Sequence, residues 1–156
     1  MICLMTYDQN TRLTEPGPVA GYVWTQQQME YALQFVPKEK LSLGIPIYDY
    51  HWFAGDPGSE EQPNPTAEYI GQQEVEEHLG AYHPRNEWDS FDRVAWFYLC
   101  RDDNREWVFH TEKRGFQERL NLARERQLQG FCSWVLGVED PEIWTVLTPQ
   151  VRISFV

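Results

Sequence analysis

The segment Leu41-Ser42-Leu43-Gly44-Ile45-Pro46-Ile47-Tyr48 constrains the fold more than any other. It is an apolar run of the buried-strand type, and strands buried on both faces belong to parallel sheets flanked by helices. Pro46 fits least well, because proline favours strand ends and bulges. Upstream lies Leu4-Met5-Thr6-Tyr7-Asp8, an apolar strand that closes on a phenol and a carboxylate. Between them, Glu15-Pro16-Gly17-Pro18 makes a rigid loop. Thr25 with Gln28 then forms a capping box that starts a helix, with Trp24 and Met29 placed as its hydrophobic staple. Met29, Ala32, Leu33 and Val36 follow the i, i+3, i+4, i+7 spacing of one apolar stripe, and Pro37 ends the helix. Strand, helix, strand in this order is a parallel crossover unit.

Residues from about Phe53 to His110 break this rhythm. A Gly/Pro/Glu-rich loop leads to a short helix around Gln72 to Leu79, and then to two strand-like runs, Val94 to Cys100 and Glu106 to His110. The polar turn Arg101-Asp102-Asp103-Asn104-Arg105 between these runs is short enough to join antiparallel neighbours, so an α+β insertion is expected. Both alternating sets of the first run are apolar (Val94, Trp96, Tyr98; Ala95, Phe97, Leu99), a pattern of packing between layers rather than of ligand binding. The crossover pattern then returns. Phe116, Leu120 and Ala123 mark the buried face of a second long helix, whose charges near Arg119, Arg124, Glu125 and Arg126 read as a solvated face. Gly130 leads into a third apolar strand, Phe131 to Leu136. Asp140-Pro141 caps and starts a short terminal helix containing Ile143, Trp144 and Leu147. The expected organisation is strand, helix, strand over 1–52, the α+β insertion over 53–112, and helix, strand, terminal helix and tail over 113–156.

A chain of 156 residues, 42% of them hydrophobic, can bury one core. Its formal net charge of −11, unrelieved by any basic cluster, argues against nucleic acid and anionic membrane surfaces as partners. Seven Trp, eight Tyr and eight Phe supply flat apolar faces with polar rims, which suit either a core or a sugar ring. Cys3, Cys100 and Cys132 are far apart, odd in number and without metal spacing. Neither a disulfide scaffold nor a zinc site is expected from them, and His51, His78, His83 and His110 offer no ligand set. No cofactor is implied. The longest uncharged apolar run, Val94 to Cys100, is far below the roughly 20 residues that span a bilayer. The N-terminus lacks a basic region followed by an apolar one, so an export signal for a secreted parent is expected upstream.

The apolar strands each finish in polar or aromatic residues: Tyr7 and Asp8, then Tyr48 through Trp52, then Trp134. In α/β barrels the carboxyl ends of the strands carry the chemistry, so these residues would share one rim. Leu4-Met5-Thr6-Tyr7-Asp8, Pro16-Gly17-Pro18-Val19-Ala20, the stretch Pro37 to Pro46, and Leu136-Gly137-Val138-Glu139-Asp140-Pro141 together resemble glycoside hydrolase family 18, in particular its chitinase-like, spore-germination and cortex-lytic branch. The resemblance runs from residue 2 to about 147. It implies an α/β fold: a partial (β/α)8 TIM barrel, strands six to eight with their helices, carrying an α+β insertion between the last two strands. It also implies a chemistry in which the substrate's own N-acetyl group attacks the anomeric carbon while a strand-four glutamic acid protonates the leaving oxygen. By resemblance, Tyr7 matches the strand-six tyrosine that steadies the acetamido group and Asp8 the neighbouring carboxylate that contacts the sugar. Trp134 matches the strand-eight tryptophan beneath the distorted ring. Met5, Tyr48, Asp49 and Trp52 complete the substrate-binding candidates.

The family's signature, Asp-x-x-Asp-x-Asp-x-Glu, belongs to strand four and is absent from this sequence. Asp89-x-x-Asp92 begins like it but continues with Val94 and Trp96, and is read as coincidence. Gln9 and Asn10 also depart from the His/aromatic pattern common after the strand-six aspartate. A whole barrel takes about 250 residues, and this chain has room for roughly three strand-helix units. The expectation is therefore a C-terminal fragment of a family 18-like enzyme acting on N-acetylhexosamine polymers, chitin or peptidoglycan. It would supply substrate-binding groups but be inactive alone, lacking a general acid whose help is worth about 10²- to 10⁴-fold. The alternative is a non-catalytic carbohydrate-binding or structural module that self-associates, because an incomplete barrel leaves open edges that invite pairing. The expected partners are an N-acetylated glycan and either a second copy or a missing N-terminal barrel half; the family suggests a secreted, cell-wall or spore-associated setting. Residue by residue, plainer readings stand beside these: Tyr7 as a core phenol, Asp8 as a cap, Trp134 as core, and Asp49 to Trp52 as anchors of the insertion.

Overall fold

The computed structural model describes residues 1–53, 66–101 and 104–147. Expectations placed on the Gly/Pro/Glu-rich loop over 54–65, on Asp102 and Asp103 of the polar turn, and on the tail beyond 147 lie outside the described residues. In chain order the elements are β1 (Ile2–Leu4), α1 (Tyr22–Ala32), β2 (Leu41–Pro46), β3 (Asp49–Phe53), β4 (Thr66–Ile70), α2 (Gln72–Tyr82), β5 (Glu87–Asp89), β6 (Val94–Arg101), β7 (Asn104–His110), α3 (Lys113–Glu125) and β8 (Gly130–Trp134). Short 3-10 turns occupy Lys38–Lys40 and Pro141–Val146.

β2 is the centre of a three-stranded sheet, parallel to β1 on one side and to β8 on the other. All six of its residues are buried, as an unbroken apolar run requires, and Pro46 is its last residue. Leu43, paired with Leu4 and Phe131, points with Ile45 toward Met29 of α1 and Phe116 and Leu120 of α3. Burying one such side chain fully is worth about 1.5–3 kcal/mol, and a slip of one residue would turn the whole set outward, so this face holds the register. Gly44 points away from that core. A Cβ there would stand 2.4 Å from the Leu4 carbonyl oxygen, and the Thr6 hydroxyl donates to the Gly44 carbonyl at 2.5 Å, so the chain leaving β1 lies tightly over β2. β1 and β8 curl toward each other across β2, and Cys3 and Cys132, with Cα atoms 6.4 Å apart, form a disulfide. Sequence spacing indicated no disulfide scaffold; this one link corrects that reading, because it follows from strand order, which spacing in sequence does not report.

The strands between β2 and α3 form a second sheet in the order β4-β3-β7-β6-β5, antiparallel throughout. α2 covers one face, packing Val75 and Leu79 on Ile70, Phe97, Leu99 and Val108. Three features differ from expectation. Tyr48 to Trp52 does not prolong β2; the chain crosses at Ile47 and Tyr48 and starts β3 in the second sheet. β4 and β5 carry no strand signal in the sequence because they are short edge strands with acidic residues, Glu68, Glu87 and Asp89. The β6 hairpin is not packed between two layers: Ala95, Phe97 and Leu99 are buried, whereas Trp96 is only partly buried and Tyr98 is 43% exposed.

α1 begins at Tyr22, not near Thr25, because tertiary neighbours set its start. Gly21 is the N-cap; its N–H donates to Gln9 Oε1 at 2.6 Å, and a Cβ there would lie 2.2 Å from Asp92 Oδ1. Thr25 is consequently buried inside the helix, and its hydroxyl has no partner among the described residues. α3 keeps Phe116, Leu120 and Ala123 in the core as expected, but Arg119 is buried with them. Its guanidinium donates to the carbonyls of Ala20, Arg93 and Gly115, tying the loop before α1, the β5–β6 hairpin and α3 together. Arg124, Glu125 and Arg126 are exposed. The result is an α/β fold whose parallel sheet, within the described residues, is open rather than closed into a barrel.

Candidate functional site

Parallel pairing places the carboxyl ends of β1, β2 and β8 at one end of the sheet. Past β1, the Thr6 bond to Gly44 fixes the chain so that Tyr7 and Asp8 follow at the rim. Asp8 takes a left-handed backbone (φ 61°), which short polar side chains tolerate better than branched ones. Past β2, Tyr48 is 3% exposed, and its hydroxyl donates to Asp8 Oδ1. The Tyr7 and Tyr48 rings meet edge to face at 6.3 Å, and Tyr69 of β4 stacks on Tyr48 at 5.2 Å. At the end of β8, Trp134 is 56% exposed, level with Pro46, and its carbonyl accepts from Ile47 N–H at 2.8 Å. Met5, between β1 and the rim, is 67% exposed.

The structure thus joins Tyr7, Asp8 and Tyr48 by direct contact and sets an open indole at the same end of the sheet. Asp49 and Trp52 lie elsewhere, on β3. Asp49 is buried and accepts the Thr111 N–H at 2.7 Å; Trp52 is fully buried between Tyr50 and Phe109, with its indole N–H lacking an acceptor among the described residues. Asp49 offers no surface to a ligand in this arrangement, whereas Trp52 borders a cavity with Phe53, Trp107 and Phe109, and both residues hold the second sheet together. His51 turns toward His78 of α2 and meets Glu106 of β7 at 2.9 Å. Tyr69 was not legible, because the strand that carries it was not.

Burial pushes the Tyr48 hydroxyl far above the ordinary phenol range, and its bond to Asp8 adds to this. Tyr7 and Tyr50 are raised too, first by burial and then by the Asp8 charge. All three phenols therefore stay neutral donors around one carboxylate, an arrangement able to hold amide and hydroxyl groups of a ligand. Burial likewise lifts Asp49 to about 7, against the opposing pull of its Thr111 bond and the Arg119 charge. Asp89 Oδ1 accepts the N–H groups of Phe91 at 2.7 Å and Asp92 at 3.0 Å, shaping the hairpin turn.

A family model described as glycosyl hydrolases family 18 matches residues 1–139. The cortical fragment-lytic enzyme of Bacillus subtilis is 25% identical, over 97% of this chain and 35% of its own length. Among solved structures, a chitinase from Chromobacterium violaceum superposes with a TM-score of 0.80 at 26% identity, covering 92% of this chain and 43% of that one. The spore cortex-lytic enzyme SleL of Bacillus megaterium gives a TM-score of 0.77 at 25% identity, covering 92% and 32%. The chain spans well under half the length of each of these relatives.

Proposed function

The chain belongs to glycosyl hydrolase family 18, and from that premise we propose that it is the glycan-holding, C-terminal part of a family 18-like glycosidase acting on an N-acetylhexosamine polymer, chitin or peptidoglycan. In this reading β1, β2 and β8 are strands six, seven and eight of a (β/α)8 barrel, and the antiparallel sheet is the insertion between the last two. Parallel pairing and flanking by α1 and α3 support that placement.

The observation that carries the reading is the Tyr48 hydroxyl seated on Asp8 with Tyr7 alongside, at the same strand ends as the exposed Trp134. A sugar resting on the indole would present its acetamido group to Tyr7 and Asp8. The neutral Tyr7 hydroxyl donates to the acetamido group, and Asp8, held by Tyr48, accepts from the sugar. The acetamido oxygen then bonds to the anomeric carbon as the glycosidic C–O bond breaks, and a glutamic acid gives its proton to the leaving oxygen. That acid is assigned to strand four, outside this stretch. Among the described residues the Tyr48 phenol donates to one carboxylate, Asp8, while Tyr7 and Tyr50 lie close enough to feel its charge.

Isothermal titration with N-acetylglucosamine oligomers, paired with a reducing-end assay, tests this. Binding without turnover is expected, weakened about tenfold or more by Trp134→Ala or Asp8→Ala. Turnover by this chain alone would overturn the missing acid, and no binding would overturn the reading as a whole. A second reading, a self-associating module, draws on β1 and β8, which among the described residues each pair on one side only.

A further inference from the structure

Asp8 holds a left-handed backbone (φ 61°), which a residue other than glycine keeps only where its surroundings impose it. On its upstream side the Thr6 hydroxyl is bonded to the Gly44 carbonyl, which fixes the chain over β2. On its downstream side stand Gln9 and Asn10, the two residues that depart from the family pattern, and the steps above give neither of them a task. Both turn back on the segment 17–21. The Gln9 N–H donates to the Val19 carbonyl at 2.9 Å, and Gln9 Oε1 accepts from the Gly21 N–H at 2.6 Å. Asn10 Nδ2 donates to the Pro18 carbonyl at 2.8 Å. Two glycines make room for these amides: a Cβ on Gly21 would lie 2.9 Å from Gln9 Oε1, and one on Gly17 would lie 2.5 Å from Asn10 Nδ2. The segment they grip is buried, whereas residues 12–15 are exposed. It is also tied down on its far side, where Arg119 Nε donates to the Ala20 carbonyl at 3.0 Å and the Tyr22 N–H to the Asp92 carbonyl at 2.8 Å.

We propose that Gln9 and Asn10 are positioning residues for the glycan rim: their amides anchor the chain leaving Asp8 to a buried segment, and so hold its carboxylate on the Tyr48 hydroxyl in the orientation that receives the sugar. The proposal deepens the glycan reading and rests on it. β1 ends at Leu4 and cannot by itself fix a side chain so far beyond its last paired residue. Anchors at Thr6 and at Gln9 bracket Asp8 closely on both sides. Released on the downstream side, its backbone relaxes toward the ordinary regions and swings the carboxylate off Tyr48, so a binding sugar must supply the ordering that the free chain no longer holds ready. Amides suit this task. They donate and accept without adding charge, and a carboxylate at position 9 would stand between Asp8 and the Asp92 carboxylate that also borders Gly21.

The test is a double-mutant cycle read by isothermal titration with N-acetylglucosamine hexamer. Gln9→Met keeps the length of the side chain and removes the acceptor, and Asn10→Ala removes the donor. Each is expected to weaken binding by the parent about fivefold and to weaken Asp8→Ala no further, because a residue that acts through Asp8 has nothing left to position there. In protein carrying isotope-labelled tyrosine Cζ, the Tyr48 resonance, assigned with Tyr48→Phe, should move in both variants toward its place in Asp8→Ala. A general loss of stability would leave that resonance where it is. Urea unfolding gives the folded fraction of each variant, and if Gln9→Met does not fold, Asn10→Ala carries the cycle; if Asp8→Ala binds too weakly to measure, the Tyr48 resonance decides. Losses that add in full to that of Asp8→Ala, or a Tyr48 resonance that stays in place, overturn the proposal. Variants that bind as the parent does while Asp8→Ala loses affinity overturn it as well and leave the rim reading standing. A parent that binds no oligomer overturns the glycan reading, and the positioning role with it.

Discussion

Asp49 shows what a single buried group adds to this fold. Burial raises its carboxyl from 3.8 to about 7, so the folded chain binds that proton more tightly than the unfolded chain does. Its contribution is fully present below pH 4 and is lost as pH rises through 7, roughly 1–4 kcal/mol in all. The urea midpoint of the parent should therefore fall across this window relative to Asp49→Asn, which keeps an acceptor for Thr111; parallel profiles would refute the assignment. At this scale the rim was legible and its supports were not. Tyr7, Asp8 and Trp134 close apolar runs, a position that exposes them whatever the neighbours. Arg119 was misread by its charge, although it stands three residues after Phe116 and four before Ala123, on the stripe already assigned to the core. Periodicity was the better guide there, because a guanidinium can satisfy itself on loop carbonyls that the sequence does not place.

Within the parallel sheet, β1 is the strand with the shortest pairing. It has three residues, pairs with β2 alone, and carries the rim at its end. The Cys3–Cys132 disulfide ties it to β8 on the far side of β2. Cys132→Ser, or reduction, should cost about 2–4 kcal/mol and speed hydrogen exchange at Ile2–Leu4 more than at β2. Equal acceleration in both strands would show that the link holds the sheet as a whole and not β1. The long helices, β2 and the β6–β7 hairpin could be read because their apolar periods are strong. β4 and β5 could not, since edge strands are kept polar to discourage pairing, and the start of α1 was displaced by Gln9 and Asp92, neither of which is its neighbour in sequence.

For the whole molecule, the parallel sheet among the described residues has one pairing side of β1 and one of β8 unmatched. Strand edges of this kind recruit strands, so light scattering is expected to show concentration-dependent association, and a monomer at high concentration would contradict it. The family was readable from four ordered segments because their backbone turns and strand ends constrain residue type locally. By itself the sequence determined the crossover rhythm, the interrupting α+β segment and the strand ends that bear Tyr7, Asp8 and Trp134. Each of these depends on periodicity or on adjacency along the chain. Only the tertiary structure decided that Tyr48 holds Asp8, that Cys3 meets Cys132, that Arg119 is buried, and that aromatic rings line one face of the second sheet. Those facts depend on which strands lie side by side, and strand order is set by packing across the whole molecule, which no local window of residues records.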